Sequence, residues 1–201
     1  IITGDIVNST LLKKPEEKKL LSTLSSVLKP YQYMFYRGDS FQAYIAEPKD
    51  ALKIVLQMRA AAKRLSSESS LPVADIRASI GIGNVVKPVR NLETAAGEAF
   101  ILSGRTFDEM SKSGKRLVIQ SNNDSINLGL KIVANYADSL FALLTSKQAA
   151  VLFELLMERN QKETAKALKK SQPTINKHAQ SAKWPEINNL IEDYKLFINQ
   201  L

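Results

Sequence analysis

A chain of 201 residues, 44% hydrophobic and 24% charged, is apolar enough to fold and long enough for one large domain or two small ones. The absence of cysteine and the single histidine, His178, exclude disulfides, thiolate zinc sites, iron–sulfur clusters, cysteine nucleophiles and multi-imidazole metal centres, leaving only hard cations held by oxygen. A net charge of +8 favours polyanionic partners, while no apolar run reaches the roughly 20 residues of a membrane span and no leader pattern is seen, so the expected setting is the cytoplasm, with no membrane partner.

The opening residues 1–7 read as a short buried strand with one carboxylate, Asp5, inside an apolar run. Pro15-Glu16-Glu17 starts a helix with acids in its first turn, and Leu20, Leu21, Leu24 and Leu28 form its stripe before Pro30 stops it. Residues 31–36 and 40–45 alternate like strands around the turn Arg37-Gly38-Asp39, which puts Asp39 at a hairpin tip. A second helix is predicted over 48–65 on Ala51, Ile54, Val55, Met58 and Ala62, then a polar loop at 66–70 and a strand over 73–82 with Ile76, Ala78, Ile80 and Ile82 on one face. A third helix over 93–111 and a short strand over 115–120 follow, ended by Ser121-Asn122-Asn123-Asp124.

This order, βαββαβ with one further helix and strand, predicts an α+β fold with a ferredoxin-like sheet. Beyond residue 124 there is no strand signal. Leu128, Ile132, Tyr136 and Leu140 suggest a connecting helix over 123–144, which divides the chain into an α+β domain at 1–122 and an all-α domain at 145–201.

The all-α part carries the clearest motif. Residues 161–179 read as a helix, a short turn and a second helix, a helix-turn-helix. Ala165 is small where the helices cross, Leu168 and Ile175 fill a shared core, Ser171 caps the second helix, and Pro173 is tolerated in its first turn. From Arg159 to Lys183 seven cations face a single acid, Glu163. If the second helix enters a major groove, Gln172, Thr174, Asn176, Lys177 and His178 lie nearest the base edges and phosphates. Lys162, Lys166, Lys169, Lys170 and Ser171 then lie along the backbone of double-stranded DNA. An ordinary helical hairpin with a solvated cationic face is the alternative. Thr145-Ser146-Lys147-Gln148 starts a supporting helix with Val151, Leu152, Leu155 and Leu156. Trp184-Pro185-Glu186 opens a final helix that closes the domain or pairs with a second copy in a homodimer.

In the first part, Gly4-Asp5-Ile6-Val7-Asn8-Ser9-Thr10, Arg37-Gly38-Asp39-Ser40-Phe41, Ile76-Arg77-Ala78-Ser79-Ile80-Gly81-Ile82-Gly83 and Gly97 to Arg105 occur in an order that resembles the class III nucleotidyl cyclase homology domain. The resemblance implies that Asp5 and Asp39 are metal-binding aspartates holding Mg²⁺ on a nucleotide, and that Arg105 is a nucleotide-binding residue matching the transition-state arginine. Ile101 stands where a cyclase has its ribose-orienting asparagine, and Phe35 where it has its base-selecting lysine. With those two contacts missing, the resemblance implies a degenerate domain that binds a nucleotide or other anionic signal without turnover. The alternatives are a Mg-dependent cyclase-type enzyme, or Asp5 and Asp39 in purely local roles. The whole arrangement, with Thr145-Ser146-Lys147-Gln148, the helix-turn-helix and a final helix containing Trp184, is similar to the SatD family, which implies a sensor domain joined to a DNA reader.

Overall fold

The computed structural model describes residues 1–65, 74–110 and 113–200. The 66–70 loop, Val73 at the start of the fourth strand and Ser111 at the end of the third helix lie outside them. Five strands, β1 (Ile2–Val7), β2 (Gln32–Tyr36), β3 (Ser40–Tyr44), β4 (Asp75–Ile82) and β5 (Leu117–Ser121), form one sheet in the order β2-β3-β1-β4-β5. β1 runs antiparallel to both β3 and β4, and β5 adds parallel to β4. The first four strands thus have the ferredoxin-like pairing, and the fifth extends one edge.

The alternation along each strand decides what the two sheet faces meet. Ile2, Ile6, Phe41, Ala43, Ile76, Ala78 and Ile80 enter a core with helices α1 (Lys14–Leu28) and α2 (Ala51–Lys63). Thr3, Ser79 and Gly81 meet α3 (Glu98–Met110) through small side chains: Thr3 Oγ1 donates to Ser103 Oγ at 3.0 Å, and Ser79 Oγ to the Ser103 carbonyl at 2.5 Å. A Cβ on Gly81 would fall 2.6 Å from Ser103 N, so only glycine permits this approach. α3 begins five residues later than the periodicity predicts. Val86 N donates to the Ala96 carbonyl at 2.9 Å, and Gly97 takes φ 142, which holds the preceding residues as loop. At residues 48–50 a 3-10 turn precedes α2.

The remaining helices are α4 (Asp124–Ala142), α5 (Ser146–Leu156), α6 (Gln161–Leu168), α7 (Gln172–Ser181) and α8 (Trp184–Ile198). The expected connecting helix, α4, lies along the β5 edge of the sheet and packs through Leu130, Ala134, Ala137 and Phe141. Of the stripe that suggested it, Leu128, Ile132 and Tyr136 are exposed and Leu140 alone packs against the core. Gly129 explains part of this choice, because its missing side chain lets Phe197 of α8 approach.

α2 joins the two parts. Every residue in it except Lys53 and Gln57 is buried, because one side covers the sheet and α1 while another covers α5. The two exceptions also reach across: Lys53 pairs with Glu158, and Gln57 Nε2 donates to the Leu156 carbonyl at 2.7 Å. Just beyond the helix, Arg64 pairs with buried Glu154 at 3.2 Å and lies 3.6 Å above the Phe153 ring. One apolar cluster therefore runs from Ile2 through α2 to Phe153, Ile187 and Tyr194. Tyr194, fully buried, donates to the Pro48 carbonyl at 3.0 Å. Among the described residues no helix is long and apolar enough to cross a membrane.

The charged members of α2 are held by carboxylates. Arg59, 1% exposed, donates from Nε and Nη2 to Asp75 at 3.1 and 3.0 Å and from Nη1 to Asp138 at 2.6 Å, tying α2 to β4 and α4. Burial alone pushes the Asp75 carboxyl up. Arg59, Lys63 and the Ile76 N–H more than reverse this, so its pKa lies below the ordinary aspartate value. A depressed pKa stabilises the fold fully above that ordinary value, about 3.9, and the contribution is lost as pH falls through the lower folded-state value. Asp75→Asn should destabilise the chain by roughly 3–5 kcal/mol at neutral pH, because a buried guanidinium loses its counter-charge. Urea unfolding at pH 7 and pH 3 checks this: the deficit of the variant should shrink at the acid end.

Candidate functional site

Three helices build the C-terminal site. α5 starts at Thr145, which accepts from Gln148 N while its own N–H donates to Gln148 Oε1 at 2.8 Å. The same reciprocal cap recurs at α6, between Asn160 and Glu163, with both bonds near 3 Å. α6 ends on Lys169 in the left-handed region at φ 52, and Lys170 N closes the turn on the Ala165 carbonyl at 3.0 Å. Ser171 then caps α7, accepting from Thr174 N at 3.4 Å, with Pro173 in the first turn.

Ala165, Ile175 and Ala179 form a small core with Val151 and Leu155 of α5, and Leu168 and Trp184 pack against it. The sequence-predicted roles of Ala165, Leu168, Ile175, Ser171 and Pro173 are thus the observed ones, and Trp184 plugs both this core and the larger one. The turn of the helix pair is the short stretch from Lys169 to Ser171.

The outer face of this unit is cationic. Lys162, Lys166, Lys169, Lys170, Ser171, Gln172, Asn176 and Lys177 are exposed, and Thr174 and His178 are half-buried. Among the described residues no ion pair involves Lys162, Lys166, Lys169, Lys170 or Lys177. Arg159 leaves the block, since its guanidinium pairs with Glu154. Lys183 is drawn to Glu186 at 3.5 Å.

Lys147 joins the face instead. It is exposed on the first turn of α5, and its charge reaches His178. Sequence separation hides this neighbour: the two meet only because α5 packs on α7, where Gln148 Nε2 donates to Ser181 Oγ at 3.0 Å. Burial, then Lys147, Lys177 and Lys170, hold His178 below its ordinary pKa of 6.5.

At the other end, register sets the two sequence-predicted aspartates on neighbouring stretches of backbone. Asp5 pairs with Ser40 across the β1–β3 ladder, and Ile6 N donates to the Asp39 carbonyl at 3.0 Å. Asp5 is opposite Arg77 on β4, whose Nε and Nη2 take both carboxylate oxygens, the former at 3.1 Å. Arg77 also stacks 5.1 Å from the Phe107 ring of α3. Asp39 accepts from Ser9 Oγ at 2.9 Å and Ser40 Oγ at 3.4 Å.

Arg105 is exposed on α3 and forms no ion pair among the described residues, so the arginine that meets Asp5 is Arg77. Its signal was present in the alternation: Ile76, Ala78 and Ile80 point to the core, which sends Arg77 to the face of Asp5. The donor set does not fit a metal centre as arranged. A guanidinium already occupies both Asp5 oxygens, and no cluster of three acids or histidines exists among the described residues.

The chain matches no known protein family and no curated protein. A solved structure of a bacterial light-regulated adenylyl cyclase is similar to it, with a TM-score of 0.38 and 18% identity. The aligned part covers 59% of this chain and 41% of that one, so the chain spans less than half of the cyclase. A likeness this distant says nothing of activity.

Two outcomes follow from these contacts. Ile175→Ala should cost about 2–5 kcal/mol, since a fully buried side chain between three helices is removed; Trp184 fluorescence during urea unfolding reads the loss. Millimolar Mg²⁺ should leave the thermal midpoint of the wild-type protein unchanged, and a saturable rise that disappears in Asp5→Asn would show that the cation displaces Arg77.

Proposed function

We propose that this chain is a DNA-binding transcriptional regulator, in which α7 lies in the major groove and the cyclase-like sheet domain carries it without catalysing a reaction. The observation that carries this reading is the cationic face of α6 and α7. Five lysines there have no acidic partner among the described residues, the second helix keeps an open N-terminal half, and the apolar residues between the helices are turned inward. Solvated lysines of this kind release condensed counterions when they meet phosphate. Gln172 and Asn176 have the amide chemistry that pairs bidentately with adenine. The similarity to the SatD family seen in the sequence supports the pairing of such a reader with a sensor.

The pairing of Asp5 with Arg77, and the presence of Phe35 and Ile101 where a cyclase has its lysine and asparagine, favour a sheet domain without turnover.

Equilibrium binding to a selected duplex over a salt series tests the reading. The affinity should fall steeply with salt, and replacing Lys169, Lys170 and Lys177 by glutamine should lower the log–log slope by roughly 0.9 for each phosphate no longer neutralised. Binding that ignores salt, or that survives the triple variant unchanged, contradicts it. Asn176→Ala should cost about 1–3 kcal/mol on the preferred sequence and relax specificity at one position.

The His178 shift gives a pH signature. Its folded pKa lies below 6.5, so the free protein carries it neutral at pH 7 and loses stability as pH falls through that depressed value. DNA phosphates offset the repulsion from Lys147, Lys177 and Lys170 and raise the pKa in the complex. Affinity should therefore increase as pH falls from the bound-state pKa and level off below the free-state one, and His178→Gln should flatten the profile in this window.

A further inference from the structure

Between the residues that leave β1, the C-terminal half of α2, the start of β4 and α4 lies a cavity of about 330 Å³. Its described lining holds Arg59, Lys63 and Arg116 against Asp75 and Asp138, three cations and two carboxylates. It contains none of Asp5, Asp39 and Arg105, and it plays no part in the DNA reading.

The acceptors in this cavity are already engaged. Asp75 Oδ1 accepts from Arg59 Nε and from Ile76 N at 2.8 Å, and Oδ2 accepts from Arg59 Nη2 and faces Lys63 Nζ at 3.3 Å. Asp138 Oδ1 takes Arg59 Nη1, and Oδ2 takes the backbone N–H groups of Arg116 and Leu117 at 3.0 and 3.2 Å.

The donors are not. Among the described residues Lys63, with three N–H groups, has this one contact at 3.3 Å, although it is only 6% exposed. The Arg116 guanidinium has five N–H groups and reaches the Gly114 carbonyl at 3.3 Å. A cavity whose carboxylates are saturated by its own walls, and which keeps one positive charge in excess, has donors to spare for an anion. A nearly buried ammonium cannot take its counter-charge from bulk solvent as a surface lysine does.

We propose that this cavity binds a tetrahedral oxyanion, either inorganic phosphate or the phosphate group of a small metabolite, held by Lys63 Nζ and the Arg116 guanidinium with the Arg59 charge behind them. The donors arrive from two walls, α2 and the start of β5. A tetrahedral anion offers separate oxygens to each wall, whereas a carboxylate has only two in one plane. The volume exceeds that of phosphate alone, which leaves room for bound water or for a short organic group.

Isothermal titration of the full chain with inorganic phosphate, and separately with glycerol 3-phosphate, tests this at constant ionic strength set by sodium chloride. The expected result is saturable binding, a matching rise in thermal midpoint, and a loss of at least about tenfold in affinity in both Lys63→Gln and Arg116→Gln. The half-exposed Arg116 keeps the test valid if Lys63→Gln fails to fold, because the backbone N–H to Asp138 is unaffected. Tighter binding of phosphate identifies the free ion as the source, and tighter binding of the ester identifies a phosphorylated metabolite. Absence of saturable binding overturns the proposal. So does binding that persists in Arg116→Gln but is lost when Lys169, Lys170 and Lys177 are replaced, since the reader face would then be the site.

Discussion

The whole arrangement depends on the burial of α2. A helix covered on nearly every side needs two bodies to cover it, and here the sheet with α1 supplies one and α5 the other. Neither the sheet nor the three-helix unit could bury that surface alone. The polar contacts at its edges, Lys53 with Glu158, Gln57 with Leu156 and Arg64 with Glu154, fix how α5 sits against it. A unit held in this way presents α6 and α7 outward from a defined platform.

Charge is distributed by the same logic. Inside, buried Arg59 meets Asp75 and Asp138 and buried Lys63 meets Asp75, while half-buried Arg64 meets buried Glu154. Arg77 and Asp5 repeat the pattern between the sheet and α3. Outside, five lysines of α6 and α7 have no ion-pair partner among the described residues.

Much of this was legible in the sequence, for identifiable reasons. Strands and hairpin followed from period-two alternation and the Arg37-Gly38 turn, and the α6–α7 helix pair from local features within about 20 residues: Ala165, Ser171, Pro173 and Ile175 each need only their neighbours to be understood. What failed required neighbours distant in sequence. The second apolar side of α2, with Leu52 and Leu56, has no meaning until α5 is placed against it. The stripe of Leu128, Ile132, Tyr136 and Leu140 looked like the packing face of α4, but the β5 edge and Phe197 select the side with Leu130, Ala134, Ala137 and Phe141, and of the stripe only Leu140 packs. At the site, Lys147 was missed for the same reason, since only helix packing brings it to His178. For Arg77 the alternation gave the face, and strand register was needed to set it opposite Asp5.

If the exposed lysine face of α6 and α7 is the working surface of the molecule, DNA must cover it. Lysine acetylation footprinting by mass spectrometry, with and without duplex DNA, tests this most directly. Lys162, Lys166, Lys169, Lys170 and Lys177 should lose reactivity when DNA is added, while exposed Lys18 and Lys19 on α1 should not change. Protection of the α1 lysines with the α6–α7 lysines still fully reactive would contradict it.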